Sequence, residues 1–216
     1  AHVVGYTNNG KGGLESQYNF NLLRSHSFFL TQIINDLKNK KNIGDTLVTT
    51  LDYDVQETAY KALGDRDGAV VVMEVKTGKI LALVSKPDFD PNTLAERWDD
   101  IVSDENSSVL LNRVTSGLYP PGSTFKIFTT LEYVHENSNY QDYSFDCEGE
   151  LNVDGNEIHC YHKAVHGKET LKDSFANSCN TSFSNIGLSL DISGFRNLCE
   201  DMLFNKKLPG SLAGSK

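Results

Sequence analysis

The stretch GAVVVMEVKTGKILALVS, residues 68–85, contains the clearest secondary-structure signal in the sequence. Two runs rich in valine, leucine and isoleucine, residues 69–75 and 80–84, flank the polar segment 76–79 with its glycine. This pattern is typical of a β-hairpin. Because both runs are almost continuously apolar, we expect both strands to be covered on both faces. A sheet covered by helices predicts a layered domain of the α/β or α+β class.

The segments on either side of this hairpin predict helices and further strands. Residues 46–52, TLVTTLD, are β-branched and predict a short strand, followed by a helix that Asp52 or Asp54 caps and Gly64 ends. Downstream, the patterns predict a short helix at 94–102, a helix at 123–135, a β-hairpin at 143–162 with Asp154-Gly155 at its turn, and helices from residue 169, before a loop-like end at 206–216.

Composition narrows the class of protein without giving a function. The chain has 216 residues, enough for one large domain or about one and a half. A net charge of -9 and the lack of a long basic cluster make nucleic acid a poor candidate partner. No apolar run of about 18 residues occurs, so we expect no membrane span in these residues. The opening AHVVGYTNNGKGG lacks a signal-peptide pattern, but a processed chain would look the same.

A serine and a lysine lie three residues apart where a helix is predicted to begin. Ser123 follows a Pro-Pro-Gly turn, and Lys126 is one helical turn further on the same face. Backbone N–H groups at a helix start can stabilise an oxyanion on a carbonyl that the serine attacks. A lysine shielded from water there has a lowered pKa and can take the serine proton. The alternative is an ordinary N-cap serine and a solvent-exposed lysine.

A second polar pair follows 55 residues later (178 minus 123) between two helical patterns. In Ser178-Cys179-Asn180, the hydroxyl can relay a proton and the amide can bind a substrate peptide group. The alternative is a common pair of helix-capping residues. The order Ser-x-x-Lys and then Ser-x-Asn is the signature of penicillin-binding proteins and serine β-lactamases.

The wider sequence resembles class B penicillin-binding proteins over essentially its whole length. Residues 68–92 resemble the strand pair that opens their transpeptidase domain, NRVTSGLYPPGSTFK resembles the nucleophile segment, and HGKETLKDSFANSCNTSF resembles the second-motif segment. The resemblance implies an α+β transpeptidase domain with a central antiparallel sheet, helices on both sides and a helical subdomain. Residues 1–44 look like the end of the pedestal, or dimerisation-type, region, and residues 45–216 like the N-terminal part of the transpeptidase domain.

The resemblance also implies roles for the four polar residues. Ser123 would be the acyl-ester nucleophile, Lys126 its general base, Ser178 the proton shuttle and Asn180 a substrate-amide contact. The implied substrate is the D-Ala-D-Ala end of a peptidoglycan stem peptide, which β-lactams imitate. No cofactor is implied. Implied partners are stem peptides, β-lactams and cell-wall synthesis proteins, and a membrane anchor before Ala1 would place the domain on the extracytoplasmic face of the cell membrane.

The third motif of the family, Lys-Thr/Ser-Gly on a strand after Ser-x-Asn, is not found here. The one Lys-Thr-Gly, at 76–78, precedes the nucleophile and has the composition of a hairpin turn. We therefore expect a C-terminally truncated chain that is a poor catalyst by itself. A serine β-lactamase or β-lactam sensor is the alternative enzyme or binding function, against which the pedestal-like residues 1–44 argue. A non-catalytic cell-wall scaffold is a further alternative, against which the four intact polar residues argue.

Residues that can ligate a metal, mostly cysteine and histidine, gather in the predicted hairpin region and just after it. They are Asp146, Cys147, His159 and Cys160, with His162 and His166 nearby. We expect no metal among the site residues. A zinc site, a disulfide between Cys147 and Cys160, and simple buried thiols stay open as interpretations of this cluster. We expect His166 to lie at the entry to a helix.

Overall fold

The computed structural model describes residues 1–7, 9–24 and 29–206. It divides into two compact units, one formed by Ala1–Leu118 and the other beginning at Tyr119. These units are defined by how compactly the chain packs. The boundary expected between residues 44 and 45 separates the pedestal region from the transpeptidase domain of the family, and it stays a prediction. Most of the expected loop-like end, from residue 207, lies outside the described residues.

The first unit contains five helices and one β-hairpin among its described residues. They are α1 (Gly13–Gln17), α2 (Asn19–Leu23), α3 (Phe29–Leu37), α4 (Tyr53–Leu63), β1 (Gly68–Met73), β2 (Ile80–Lys86) and α5 (Trp98–Ser103). Asp52 is the N-cap of α4, since its side chain accepts a hydrogen bond from Val55 N, and Gly64 ends the helix at φ 58°. The helix prediction here is confirmed, and Asp52 rather than Asp54 is the cap.

The strand predicted at residues 46–52 is wrong. This segment is not a strand, although it contacts β2 through a bond from Asp52 N to Leu81 O (2.9 Å) and one from Thr50 Oγ1 to Ile80 O (2.7 Å). One of these two bonds comes from a side chain, so no regular backbone ladder forms. A run of β-branched residues favours extended backbone but does not by itself supply a pairing partner.

The hairpin prediction at the opening stretch is confirmed. β1 and β2 pair antiparallel from Gly68 opposite Lys86 to Met73 opposite Ile80, and Gly78 takes φ 71° in the turn. β2 is buried on both faces over residues 82–85, and Ala82 and Val84 pack against α4. β1 instead alternates between half-buried and exposed residues in the described part of the chain. The expectation of coverage on both faces therefore holds for β2 and is wrong for β1.

The second unit carries short strands and four helices among its described residues. They are α6 (Lys126–Glu136), β3 (Ser144–Cys147), β4 (Glu150–Val153), β5 (Asn156–His159), β6 (Gly167–Thr170), α7 (Leu171–Ala176), α8 (Asn180–Ser189) and α9 (Ile192–Asp201), with 3₁₀ turns at Gly122–Phe125, Tyr140–Asp142 and Tyr161–Lys163. In the residues that the structure describes, no helix has both the length and the apolar character needed to cross a membrane.

The second unit contains two antiparallel strand pairs among its described residues. β4 and β5 form the predicted hairpin, and Asp154 (φ 50°) and Gly155 (φ 85°) both take the positive φ of its tight turn. β3 pairs with β6 instead of extending this hairpin. His166 consequently precedes a strand, β6, so the expectation that it enters a helix is wrong. Leu171, Phe183 and Ile186 form the apolar core of this unit.

Candidate active site

Ser123 lies in a tight turn just before α6. The 3₁₀ turn Gly122–Phe125 precedes the α-helix, which begins at Lys126. The sequence placed Ser123 at or near the first helical position, and the structure places it in the 3₁₀ turn that leads directly into α6. Pro121 takes φ -66° and Gly122 takes φ 56°, a left-handed conformation that glycine adopts without steric cost. The turn leaves the Ser123 side chain exposed.

Lys126 points its amine at the second motif. Its Nζ donates to Ser178 O (2.6 Å), Ser178 Oγ (3.0 Å) and Asn180 Oδ1 (2.7 Å). These three bonds match the three donors of a lysine ammonium. The sequence prediction placed Lys126 beside Ser123, whereas the structure connects the two through Ser178, whose Oγ donates to Ser123 Oγ at 2.8 Å.

Ser178 lies just after the C-terminus of α7, in a position that usually belongs to glycine. Cys179 N donates to Ser174 O (2.9 Å) and Ser178 N to Phe175 O (3.1 Å), the paired bonds of a Schellman motif. Ser178 takes the left-handed conformation that this motif requires, at φ 52°. For a residue with a Cβ atom this conformation costs on the order of 1 kcal/mol. The backbone thereby turns the Ser178 hydroxyl toward Ser123 and Lys126.

Asn180 is the first residue of α8, and its side chain is held from both ends. Its Nδ2 donates to His159 O in β5 at 2.9 Å, while its Oδ1 accepts from Lys126. The structure thus brings together all four predicted residues: Ser123, Lys126, Ser178 and Asn180. The bond to His159 O fixes which amide atom faces Lys126, and this contact was not predicted from the sequence.

Burial lowers the pKa of Lys126 from its ordinary value, while the nearby Cys179 and Cys160 act in the opposite direction. The aromatic ring of Phe183, with its centroid 5.4 Å from Nζ, adds an apolar wall that contacts the amine. A lysine whose charged form is disfavoured loses its proton more easily and can act as a base nearer neutral pH. The arrangement Ser123–Ser178–Lys126 can therefore move a proton from the first hydroxyl to the amine through the second.

A cluster of three thiols and one imidazole lies behind this site, and we call it the thiol cluster. Its donor atoms belong to Cys147, Cys160, His166 and Cys179, and all lie within 4.8 Å of one another. Cys160 Sγ is 3.7 Å from both other cluster sulfurs, and Cys147 Sγ is 3.4 Å from His166 Nδ1. Each of the three cysteines is free and buried.

Two of the thiols have shifted pKa values of opposite sign. Burial alone would raise the pKa of Cys147, but hydrogen bonds from the Thr181 hydroxyl, the His166 and Gly149 backbone and the His166 ring lower it to about 6. Burial raises the pKa of Cys179 to about 12, against hydrogen bonds from Thr181 and Ser182. The cluster thus contains one thiol that ionises readily and one that resists ionisation until a cation approaches.

The donor chemistry of the thiol cluster fits a closed tetrahedral zinc site, in which cysteine and histidine are the usual ligands. The sequence had suggested a group around Asp146, Cys147, His159 and Cys160. Among the described residues, the group that could hold a metal keeps Cys147, Cys160 and the nearby His166, adds Cys179, and leaves out Asp146, His159 and His162. Cys179 was missed because it is part of the Ser-x-Asn segment and lies 19 residues after Cys160.

The sequence is similar to known proteins along its whole length. Residues 68–216 match the family model described as the penicillin binding protein transpeptidase domain. The chain is 36% identical over 163 residues to the peptidoglycan D,D-transpeptidase PbpA of Mycolicibacterium smegmatis, covering 68% of this chain and 33% of that protein. It is 30% identical over 236 residues to stage V sporulation protein D of Bacillus subtilis, covering 99% of this chain and 35% of that protein.

Solved structures agree with these sequence matches. Penicillin-binding protein A from M. tuberculosis, as an imipenem acyl-enzyme complex, superposes with a TM-score of 0.89 at 26% identity, covering 100% of this chain and 54% of that one. The D,D-transpeptidase domain of a peptidoglycan glycosyltransferase from Eggerthella lenta gives a TM-score of 0.84 at 29% identity, covering 100% of this chain and 48% of that one. The chain spans about a third of the length of the curated relatives cited above.

Proposed function

The chain belongs to the penicillin-binding-protein transpeptidase family, and we propose that it forms the nucleophile-bearing part of a class B peptidoglycan D,D-transpeptidase. The observation that carries the proposal is the continuous hydrogen-bonded path from Ser123 Oγ through Ser178 Oγ to Lys126 Nζ, with separations of 2.8 and 3.0 Å. Acyl transfer by a serine needs such a path, because the hydroxyl must lose its proton as it attacks.

In the proposed first step, Ser123 Oγ attacks the carbonyl of the penultimate D-alanine of a stem peptide. Lys126 first has to be neutral, so that its lone pair can accept the Ser178 proton while Ser178 accepts the Ser123 proton. The C–O bond of an acyl ester forms, the peptide C–N bond breaks, and the protonated lysine returns its proton through Ser178 to the departing D-alanine amine. Asn180, held by His159 O, is proposed to contact the substrate amide.

In the proposed second step, the amine of another stem peptide attacks the acyl ester. Ser178 and Lys126 take the proton of the incoming amine, and Ser123 leaves with a proton returned along the same path. The product is a cross-linked pair of stem peptides and a regenerated hydroxyl. A β-lactam imitates the first substrate, and we propose that it stops the reaction at the acyl stage with Ser123 modified, as the imipenem acyl-enzyme complex of the M. tuberculosis relative suggests.

The full activity is proposed for the longer protein that its relatives' lengths indicate. Lys76-Thr77-Gly78 forms the turn between β1 and β2, so it does not supply the family's third motif. That motif would contribute the second oxyanion N–H and the contact to the substrate carboxylate. By resemblance to the family, we further propose that the protein works at the extracytoplasmic face of the cell membrane with other cell-wall synthesis proteins.

Fluorescent penicillin tests this proposal in the full-length protein. We expect one covalent label per chain, and mass spectrometry of the digested protein should locate it on the peptide containing Ser123. Ser123→Ala should abolish labelling, whereas Ser138→Ala, at an exposed serine outside the site, should leave it unchanged. Labelling that survives Ser123→Ala would contradict the proposed nucleophile.

The lifetime of the label separates the transpeptidase from the alternative functions. A transpeptidase should hold the penicilloyl group for many minutes, because its acyl-enzyme is resolved by a stem-peptide amine and not by water. Rapid turnover to hydrolysed penicillin would instead indicate a β-lactamase. Normal wall cross-linking in cells that carry only Ser123→Ala would indicate a non-catalytic scaffold.

A further inference from the structure

A buried carboxylate lies next to the loop that carries Ser178. Glu169 in β6 is only 2% exposed, and glutamate is rarely buried unless it is paired. Its Oε1 accepts a hydrogen bond from Asn177 Nδ2 at 2.7 Å, and its Oε2 accepts one from Ser174 Oγ at 3.4 Å. The proposed acyl transfer does not use this carboxylate, so its burial needs another explanation.

A chain of hydroxyl groups ends on the same carboxylate. Ser182 Oγ donates to Ser174 Oγ at 2.7 Å, and the Tyr143 hydroxyl lies 2.9 Å from Ser182 Oγ. Ser174 and Ser182 are fully buried. Because a carboxylate only accepts hydrogen bonds, it gives the whole chain one direction, with each hydroxyl donating toward Glu169. This network ties α8, through Ser182, to the last turn of α7, through Ser174.

Asn177 connects this network to the left-handed residue of the site. It is the C-cap of α7, at φ -82°, and it directly precedes Ser178. Its side-chain amide donates to Glu169, so the residue before Ser178 is fixed by a charge-assisted bond. Left-handed backbone at a residue other than glycine persists only where its surroundings hold it. Glu169 provides such a hold through a side chain that belongs to a different element, β6.

We propose that Glu169 is a positioning residue whose carboxylate, acting through Asn177, keeps the Ser178 hydroxyl between Ser123 and Lys126. Glu169 touches neither the substrate nor the reacting atoms in this proposal. The inference rests on the proposed acyl-transfer function, and it adds a residue that the two motifs do not contain. Its mechanism is geometric, because a displaced Ser178 would break the proton path without altering penicillin binding.

Truncation of either partner should slow acylation more than it weakens binding. In the full-length protein, we expect Asn177→Ala and Glu169→Ala to lower the acylation rate constant by about tenfold or more, since small displacements of reacting groups have effects of this order. The dissociation constant of the non-covalent penicillin complex should change by less than about threefold. Stopped-flow labelling over a range of fluorescent penicillin concentrations separates the two constants.

An exchanged pair supplies a rescue test. Asn177→Asp by itself places two carboxylates together and should slow acylation more than Asn177→Ala does. Combining Asn177→Asp with Glu169→Gln restores one amide and one carboxylate in reversed order. The acylation rate constant of this double variant should be at least about tenfold higher than that of Asn177→Asp alone. A double variant no faster than Asn177→Asp alone would overturn the proposal.

Glu132→Ala is the matched control for the loss of a buried carboxylate. Glu132 lies in α6 of the same unit and is also 2% exposed. Its ion-pair partner is His135, in the same helix, and not a residue of the Ser178 loop. All variants are compared well below their unfolding temperatures, and Glu132→Ala should leave the acylation rate constant of the folded protein unchanged. An equal slowing in Glu132→Ala would overturn the proposal.

The labelling of the unaltered protein separates the two proposals. If it is not labelled at Ser123, the proposed function fails. If it is labelled and Asn177→Ala is not slowed, only the positioning role of Glu169 fails.

Discussion

At the scale of single residues, the position of Lys126 decides how the site handles protons. All three of its hydrogen bonds go to residues 52 or 54 positions away along the chain. Burial lowers its pKa below the ordinary 10.5. The site therefore contains an amine that is held in place by the second motif and that gives up its proton more readily than a surface lysine.

This pKa predicts the pH dependence of acylation. In the proposed mechanism the neutral amine of Lys126 is the base, so the acylation rate should rise with pH and level off above the folded pKa of Lys126, which lies below 10.5. Lys126→Arg keeps the positive charge but removes the base, and should slow acylation by roughly 10²- to 10⁴-fold. Labelling rates between pH 6 and 10 check both statements. A rate that is flat over this range would contradict the assignment of the base.

Ser178 predicts a separation of stability from activity. Ser178→Gly should be more stable than Ser178→Ala by about 1 kcal/mol, because glycine takes φ 52° without the Cβ penalty. Both variants lose the hydroxyl, so both should lose most of the acylation rate. Denaturant unfolding and penicillin labelling of the same samples measure the two effects. Equal stability of the two variants would mean that the left-handed backbone is relaxed in solution.

The sequence predicts the chemistry of single residues better than their contacts. Ser123, Lys126, Ser178 and Asn180 stand in short motifs, so their residue types and spacing could be recognised directly. The bond from Asn180 to His159 O and the burial of Glu169 depend on how β5 and β6 pack against α7 and α8. Side-chain burial of this kind has no local signal, because a glutamate in a short polar strand is ordinarily exposed.

At the scale of elements, α7 depends on a capping box at its N-terminus. The Thr170 side chain accepts from Asp173 N, while the Asp173 side chain accepts from Thr170 N at 3.1 Å and from the Thr170 hydroxyl at 2.7 Å. This arrangement satisfies backbone donors that the helix leaves unpaired. The C-terminus of α7 leads directly into the Ser178 loop. The capping box, at the N-terminus of α7, therefore stabilises the helix that presents Ser178.

Thr170→Val should therefore lower the unfolding temperature by roughly 2–4 °C near neutral pH. Hydrogen bonds from the Thr170 hydroxyl and backbone lower the pKa of Asp173 from 3.8. A carboxyl with a lowered folded pKa stabilises the fold above its unfolded pKa, and the effect is lost as pH falls through the folded pKa. Calorimetry should accordingly show the difference between the two proteins shrinking below about pH 4. A difference that persists at lower pH would exclude the carboxylate as its source.

The thiol cluster predicts metal binding. The sequence analysis expected no metal among the site residues and left zinc open as one interpretation of the cysteine and histidine cluster. Three thiols and an imidazole within 4.8 Å of one another favour the zinc interpretation. We expect about one zinc ion per chain after purification without chelators, held by three thiolates and one imidazole. Cys179→Ser should reduce the zinc content and lower the unfolding temperature, whereas Cys199→Ser, outside the cluster, should do neither. A zinc-free protein with a bond between Cys147 and Cys160 would contradict this prediction.

Element types followed from the sequence where the local pattern is strong, while the strand at residues 46–52, element edges and strand partners did not. The β1–β2 hairpin and α4 have strong local patterns, and both were predicted within a few residues. Residues 46–52 have the composition of a strand, yet they find no ladder among the described residues. β3 was predicted to continue toward β4 but pairs with β6, because strand pairing depends on the packing of the whole unit and not on local propensity.

At the scale of the whole molecule, family membership and the length of the chain together show which part of the family's catalytic site these residues contain. The chain holds two of the three family motifs and covers about a third of the length of its curated relatives. The described residues contain two compact units, and the proton path lies entirely in the second. The resemblance supplied the fold class, since three separate two-stranded sheets in the described residues would not by themselves identify it.

The difference in length predicts different labelling rates. A preparation of these 216 residues alone should react with fluorescent penicillin at least about 100-fold more slowly than the longer protein, the size of effect expected when one oxyanion donor is removed. Ser123→Ala in both preparations corrects for unspecific labelling. Rapid and durable labelling of the 216 residues would show that the third motif is dispensable for acylation by penicillin.

The thiol cluster has an odd number of sulfurs, which limits how it can be oxidised. Each disulfide consumes two thiols and releases two electrons, so a cluster of three cannot pair completely within one chain. Cys160 is equally close to both neighbours, at 3.7 Å, so bonding to either leaves the other as a lone thiol. Air oxidation of metal-free protein should therefore yield two isomers of one mass, with Cys179 left as the unpaired thiol in one and Cys147 in the other.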